Sequence, residues 1–307
     1  MLTALLCLGA VLLDRWQGEP RHWHPLVGFG GLAQRVEAFG YGPPESSAEA
    51  RRARGSGAVI LLLVPFTVAA WLLSVIPLLG LAVALGLLYL AIGARSLAEH
   101  AEAVAVALQA GDLPLARQQV GRIVSRDTAD LDEEQISRAT VESVLENGCD
   151  AIFGALFWFV FAGAAGATLY RLANTLDAMW GYRTPRYRDF GWAAARLDDL
   201  LNWLPARLTA LGYTLCGSQP ALAWRCWREQ APGWKSPNAG PVMAAGAGAL
   251  GLALGGPARY HGKWQQRPAL GEGLAPRAED IGRAVALVRR TLWLWLGAIA
   301  LGGLALA

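Results

Sequence analysis

The chain has 307 residues, of which 54% are apolar and 17% charged, against about 25% charged in soluble domains, so a water-soluble fold is disfavoured. Thirty-six glycines, sixteen prolines and a mean hydropathy of +0.32 exclude a disordered tail, which needs low hydrophobicity and high net charge, and argue against a coiled coil. A net charge of +3 without a dense Lys/Arg run speaks against a nucleic-acid partner. The apolar residues gather in blocks with the charges between them, the layout of an all-α, polytopic integral membrane protein in contact with lipid.

Four blocks approach the roughly 20 residues that cross a hydrocarbon core. The first, Leu2 to Leu13, is short, has no basic n-region and runs into Asp14 without a small-residue cleavage site, so it reads as a retained segment. A loop follows, with Glu19-Pro20, His22, His24-Pro25, Gly28, Gly30 and Gly31. Two histidines two apart with no second ligand cluster make a weak metal site. The prolines and glycines read better as a rigid loop beside the membrane, with Trp16 and Trp23 at the interface. Gly57 to Pro77 and Leu78 to Ala94 abut with no charge between Gly55 and Arg95, which predicts a tight helical hairpin. The fourth block is Thr291 to Ala307.

Residues 95–150 are the most soluble-looking segment. Asp130 and Glu133 suggest an N-cap with an acidic N3 residue, and a helix is predicted from about Leu131 to Asn147, with Ile136, Thr140 and Val144 inward and Gly148 as the stop. Arg138, Glu142 and Glu146 share a face at i, i+4, i+8 and read as a solvated salt-bridge ladder. Ser125-Arg126-Asp127-Thr128 precedes this helix, and Glu146-Asn147 with Asp150 stands at the mouth of an apolar block, where unpaired carboxylates are expensive.

Three further apolar stretches, Ala151 to Ala173, Leu204 to Ala223 and Ala239 to Gly256, are compatible with spans, half-helices or buried core helices. Between the first two lies the densest polar constellation: Asn174, Asp177, Gly181-Tyr182-Arg183, Arg186-Tyr187-Arg188, Arg196, Asp198-Asp199 and Asn202. Clustered oxygen ligands suit a hard cation such as Mg²⁺, completed by waters and substrate phosphates. The arginines suit bidentate contacts to phosphate or carboxylate. A last constellation, Lys235-Ser236-Pro237-Asn238, leads into a small-residue stretch. There Gly246, Gly248 and Gly251 match G-x-G-x-x-G, but no strand precedes them, so close helix packing is the better reading. Cys7, Cys149, Cys216 and Cys226 show no paired spacing and read as small buried side chains.

The ordered set of motifs resembles the CobD/CbiB family of cobalamin biosynthesis. The pieces are Gly18-Glu19-Pro20 with His24-Pro25, Ala94-Arg95-Ser96-Leu97, Arg126-Asp127-Thr128, Glu146-Asn147 with Asp150, Asn174 to Asp177 with Gly181-Tyr182, and Ala195 to Asp199 with Asn202. They continue through Pro205-Ala206-Arg207, Ser236-Pro237-Asn238, Ala247 to Gly251, Leu254 to Pro257 with Tyr260, and Asp280-Ile281, so the resemblance spans nearly the whole chain as one membrane domain. Glu19 stands where the family commonly has Asp, Ser125 where Gly is common, and Met243 near a common Glu.

The resemblance implies an inner-membrane ligase using ATP and Mg²⁺. It would join adenosylcobyric acid to (R)-1-aminopropan-2-ol or its O-phosphate by an amide bond to a corrin propionate. A complex with other membrane enzymes of the late pathway is also implied. On this reading Asp177, Asp198 and Asp199, assisted by Asn174 and Asn202, are the metal candidates. Arg126, Asn147, Arg196, Lys235, Ser236 and Asn238 are the substrate and phosphate contacts. Asp127, Glu146 and Asp150 are candidate bases for the attacking amine. ATP is cytoplasmic, so segments 14–56, 95–150 and 174–290 are expected on one face, with Ala151 to Ala173 re-entrant or packed inside and both termini on the other side. Arg51, Arg52, Arg54, Arg289 and Arg290 agree with the positive-inside rule. Two other classes compete: a Mg²⁺-dependent membrane prenyltransferase, suggested by Asp198-Asp199-x-x-Asn202, and a non-enzymatic AmpE-like signalling protein.

Overall fold

A computed structural model describes residues 1–20, 24–260 and 262–306. The helices are α1 (Leu2–Gln17), α2 (Pro25–Gly40), α3 (Ala48–Ser74), α4 (Leu79–Ala91), α5 (Ala94–Gln109), α6 (Leu113–Val120), α7 (Glu133–Gly148), α8 (Gly154–Trp180), α9 (Tyr187–Phe190), α10 (Trp192–Cys216), α11 (Pro220–Gln230), α12 (Ala239–Leu250) and α13 (Ala278–Ala305). Four short strands lie between α12 and α13: β1 (Leu254–Gly255), β2 (Ala258–Tyr260), β3 (Lys263–Gln265) and β4 (Ala269–Leu270). β1 pairs antiparallel with β4, and β2 with β3.

Among the described residues, four helical stretches are long and apolar enough to cross a membrane: Ala48–Ser74, Leu79–Gln109, Glu133–Trp180 and Ala278–Ala305. The count of four matches the sequence reading, but the membership differs. The block Leu2 to Leu13 becomes a 16-residue helix outside this set, and the stretch containing Ala151 to Ala173 joins it. The predicted hairpin forms from α3 and α4. Ser47 caps α3 through a hydrogen bond from the Ala50 amide (3.2 Å), so the helix starts nine residues before Gly57 and takes in Arg51, Arg52 and Arg54. The turn places exposed Leu78 at φ 62°, and Gly80 is required because a Cβ there would lie 2.1 Å from the Ser74 carbonyl oxygen. Ile60, Leu61, Trp71, Leu72 and Leu81 stand exposed on these helices, an apolar surface suited to lipid.

The chain divides into two compact units. The first comprises Met1–Gly93, Gly154–Asn202 and Gly303–Ala307, the second Ala94–Phe153 and Trp203–Gly302. In the first, α8 reverses on itself. Ala162 (φ −135°, ψ 17°) and Gly163 (φ 58°, ψ −148°) break the helix. A Cβ on Gly166 would lie 2.3 Å from the Trp158 carbonyl oxygen, and one on Gly154 would lie 2.0 Å from the Tyr170 ring. In a straight helix residues 154 and 170 would be about 24 Å apart. The two arms therefore pack antiparallel about an apex at 162–163, so the apolar block Ala151 to Ala173 folds as a helical hairpin. Its arms pack on α3 and α4, and Phe161 at the apex is exposed.

The second unit is organised on α7, whose residues from Ile136 to Leu145 are buried except Arg138. The cap is a capping box, two residues later than predicted: the Asp132 side chain accepts from the Gln135 amide (2.8 Å), and the Gln135 side chain accepts from the Asp132 amide (3.0 Å). Ile136, Thr140 and Val144 face inward as predicted. Gly148 does not stop the helix. The chain continues through a π-helical turn, Cys149–Phe153, into α8, and Gly148 is needed for packing because a Cβ there would lie 2.4 Å from the Tyr213 hydroxyl. All residues of α12 are buried. Gly246 seats against Leu145, Gly248 against the Ala223 backbone, and Gly251 closes the helix at φ 67°, so these glycines serve packing and capping rather than a nucleotide loop. The stretch Ala239 to Gly256 is thereby a core helix followed by β1. Cys7, Cys149 and Cys226 are buried and Cys216 is partly exposed.

Candidate functional site

In the first unit, α8 and α10 bring four side chains into one hydrogen-bonded chain. The Asn174 amide donates to Asp198 Oδ1 at 3.2 Å, and the Asn202 amide donates to both Asp198 oxygens, each at 3.2 Å. The Tyr170 hydroxyl donates to Asn202 Oδ1 at 2.7 Å. Tyr170 and Asn174 are one turn apart on the second arm of the hairpin, and Asp198 and Asn202 one turn apart on α10, so i, i+4 spacing on both helices builds the cluster. Burial raises the Asp198 carboxyl above the usual carboxylate range; the Asn174 and Asn202 hydrogen bonds pull it back, and Asp199 adds to the rise. Asp199, also raised by burial, is held by Arg196 at 3.5 Å and feels Arg183.

Of the sequence-derived metal set, Asn174, Asp198 and Asn202 thus meet. Asp177 is placed against Gly181, where a Cβ would lie 2.0 Å from its Oδ1, which accounts for the glycine. Among the described residues no three His, Cys, Asp or Glu side chains converge to hold a metal. The amide groups, moreover, turn their N–H toward Asp198. The donor set does not suit a metal caged by protein alone. A Mg²⁺ ion carried on phosphates needs only one or two protein carboxylates, and Asp198 and Asp199 are the carboxylates at this cluster. Arg186, part of the same constellation, is committed elsewhere: it binds buried Glu37 at 2.6 Å and stacks on Tyr41 at 4.7 Å.

His24, counted as a weak metal candidate, caps α2 instead, with Nδ1 accepting from the Leu26 amide at 3.2 Å. Burial lowers its pKa; Glu19 opposes this and Arg171 adds to it, which keeps the imidazole neutral and able to accept. His22 and Trp23 lie outside the described residues, and Trp16 is exposed. Arg171, absent from the sequence reading, precedes Asn174 by three positions, and its buried Nε has no hydrogen-bond partner among the described residues.

In the second unit, the salt-bridge ladder does not form. Arg138 pairs with Glu134, whereas the Glu142 side chain is only 2% exposed and sits between Arg126 and Arg267. Arg267 grips it with both terminal nitrogens (3.0 and 3.1 Å), Arg126 donates to Oε2, and the Gly255 amide donates to Oε1 at 2.8 Å. The physical reason is that α7 is surrounded by the rest of its unit, so a carboxylate on its inner face needs buried cations. Arg126, read as a phosphate contact, therefore spends part of its guanidinium on Glu142. Asp127 accepts from the Gly262 amide (2.7 Å) and lies 3.6 Å from Arg259, which also pairs with Asp130 (3.1 Å). The β2–β3 hairpin thus closes over segment 126–130. A cavity of about 200 Å³ opens there, with Arg126, Arg138, Arg259 and Arg267 in its walls together with Asp127 and Asp130, and Trp264 at its side.

The other predicted residues of this unit occupy two further places. The Asn147 amide donates to the Ser143 carbonyl and hydroxyl oxygens, both at 2.9 Å, with Glu146 and Asp150 partly buried nearby in sequence. Ser236 accepts from the Asn238 and Ala239 amides at the start of α12, and Asn238 accepts from Arg207 at 3.0 Å, so both organise that helix end; Lys235 is exposed. The sequence reading missed Tyr170, Arg259 and Arg267. Tyr170 carried a signal, being the aromatic hydroxyl one turn before Asn174. The two arginines carried none, because their partners lie more than a hundred positions away.

The fold and these clusters define a helical, polytopic membrane protein with polar side chains gathered behind apolar surfaces. The chain matches the model of the CobD/CbiB protein family over residues 7–288. It is 64% identical over 298 residues to the cobalamin biosynthesis protein CobD of Chromobacterium violaceum, covering 96% of this chain and 95% of that protein. It is 56% identical over 303 residues to the protein of the same name from Stutzerimonas stutzeri (99% of each), and 40% identical over 294 residues to that of Mycobacterium tuberculosis (91% and 88%). No solved structure matches. The chain belongs to the CobD/CbiB family of cobalamin biosynthesis proteins.

Proposed function

We propose that this protein is a ligase of cobalamin biosynthesis that converts adenosylcobyric acid to adenosylcobinamide or its phosphate. The reaction joins (R)-1-aminopropan-2-ol or its O-phosphate to a propionate of the corrin ring with ATP and Mg²⁺. The observation that supports this best is the Asp198 cluster within a chain related end to end to cobalamin biosynthesis proteins. A carboxylate is a poor electrophile. Ligation would transfer the γ-phosphoryl group of ATP to the propionate oxygen, releasing ADP. The amine nitrogen would then form the C–N bond, inorganic phosphate would leave, and the ammonium proton would pass to a base.

Asp198 and Asp199 would receive Mg²⁺ carried on the phosphates, with Asn174 and Asn202 orienting Asp198, and the ion would neutralise charge on the transferring group. Asp177 remains a further candidate ligand. Arg196 and Lys235 would contact phosphate or carboxylate groups of substrate, and Asn147, Ser236 and Asn238 remain candidate substrate contacts. Asp127, Glu146 and Asp150 are the candidate bases. Placement in the bacterial inner membrane with the active site facing the cytoplasm fits the need for ATP, and other membrane enzymes of the late pathway are candidate partners.

The test is an Asp198→Ala protein in detergent, assayed for conversion of adenosylcobyric acid by liquid chromatography over a range of Mg²⁺ concentrations. The expected result is loss of at least a hundredfold in rate. Unchanged ligation with an unchanged Mg²⁺ requirement contradicts the assignment.

A further inference from the structure

The four arginines around the cavity of the second unit divide into two kinds. Arg126 and Arg267 are 10% and 12% exposed and share Glu142, itself 2% exposed. Two guanidinium charges face one carboxylate, so the floor of the cavity carries an excess positive charge away from water, where a charge acts more strongly than at the surface. Arg267 is held in place by Glu142 and by its Nε donating to the Gly256 carbonyl at 2.9 Å, which fixes that charge in position.

Arg138 and Arg259 are the other kind. Their acidic partners are Glu134 for Arg138, 50% exposed, and Asp127 and Asp130 for Arg259, 37% and 82% exposed. Exposed pairs of this sort contribute about 0–1 kcal/mol and separate easily. Arg138 lines the cavity, and its Nε is buried with no hydrogen-bond partner among the described residues. The indole of Trp264, 65% exposed, stands beside them on β3, cross-strand from Arg259. A planar, fork-shaped donor with a weakly held partner is suited to bidentate binding of phosphate.

We propose that this cavity is a phosphate-binding site: the buried Glu142 pair of arginines supplies a fixed positive floor, and Arg138 and Arg259 turn from Glu134 and Asp130 onto the phosphate oxygens. The proposal deepens the ligase reading and rests on it for the source of the phosphate, which is either ATP or the phosphorylated amino alcohol. Asp127 keeps the Gly262 amide as its hydrogen-bond donor when Arg259 turns toward the anion. The aromatic face of Trp264 distinguishes the two sources, since only a nucleotide brings a base to stack on it.

The test uses the full-length protein in detergent, with ATP and 1-aminopropan-2-ol O-phosphate titrated separately by calorimetry into the wild type, Arg259→Ala and the Arg138→Ala/Arg259→Ala double variant. At least tenfold weaker binding of either ligand in the double variant, with corrinoid binding retained, supports the site. A further tenfold loss for ATP in Trp264→Ala identifies the nucleotide as occupant, and no change identifies the amino alcohol phosphate. Should the double variant not fold, phenylglyoxal modification of the wild type replaces it, with ligand expected to protect the peptides carrying Arg138 and Arg259. Wild-type affinity in the folded double variant, absence of protection, or failure of the wild type to bind either phosphate overturns the proposal. Failure of the ligase reading looks different: phosphate binds and depends on these arginines, but no amide product forms.

Discussion

Replacing Glu142 by glutamine leaves Arg126 and Arg267 facing a neutral amide in a site where the carboxylate is 2% exposed. Breaking a buried ionic network in this way costs about 3–5 kcal/mol, so the expected outcome is a clearly lowered melting temperature in detergent, read by loss of helical circular dichroism. Asp198→Asn tests a pH dependence instead. Because burial raises the Asp198 carboxyl, the native state favours the protonated form. The stability from that preference is present below about pH 4, the ordinary carboxylate range, and is lost as pH rises through the raised folded value. An asparagine carries no charge at any pH, so the variant should flatten this part of the pH–stability curve, while losing activity. Lower stability at neutral pH would show that the ionised carboxylate is structural. The sequence made Asn174, Asp198 and Asn202 legible as a cluster because helical spacing determines which side chains share a face. It misread Glu142, since i, i+4 spacing cannot say whether that face meets water or buried arginines.

At the scale of elements, the α8 hairpin turns on Gly163, whose φ of 58° and ψ of −148° fall in a region that side chains avoid. Gly163→Val is expected to cost about 1–3 kcal/mol. Gly154→Leu, which drives a side chain into the Tyr170 ring, is expected to cost a similar amount through overpacking. Both are checked by thermal denaturation and by limited proteolysis near the apex, and wild-type behaviour in both variants would remove the hairpin. The expectation that Ala151 to Ala173 does not run straight through came from a constraint rather than a pattern, since a full crossing would separate the polar segments on either side of it, and the hairpin is compatible with it. The break at Ala162–Gly163 was not legible, because a glycine among small apolar residues equally suits close packing. The capping box of α7 was readable to within two residues. The β2–β3 hairpin was missed because its strands are three residues long and make their main contacts with segment 126–130, far away in sequence.

For the whole molecule, the proposed chemistry requires the polar clusters of both units to reach the same aqueous phase. Single-cysteine variants Ser125→Cys and Tyr182→Cys, in a background lacking the native cysteines, should react with an impermeant maleimide from the cytoplasmic side only. Labelling from opposite sides would break the topology in which segments 95–150 and 174–290 share a face. The low charged content that marks the chain as a membrane protein also has a positional meaning: Asp198 with Asn174 and Asn202, and Glu142 with Arg126 and Arg267, are gathered into hydrogen-bonded clusters.

The most direct measurement of the central claim is turnover by the purified protein. Wild-type protein in detergent would be supplied with adenosylcobyric acid, ATP, Mg²⁺ and either (R)-1-aminopropan-2-ol or its O-phosphate, and the corrinoid products identified by mass spectrometry. The account predicts adenosylcobinamide or its phosphate, formed with stoichiometric release of ADP and phosphate and abolished by Asp198→Ala. Unmodified adenosylcobyric acid recovered from a folded protein that binds both ATP and corrinoid would contradict it.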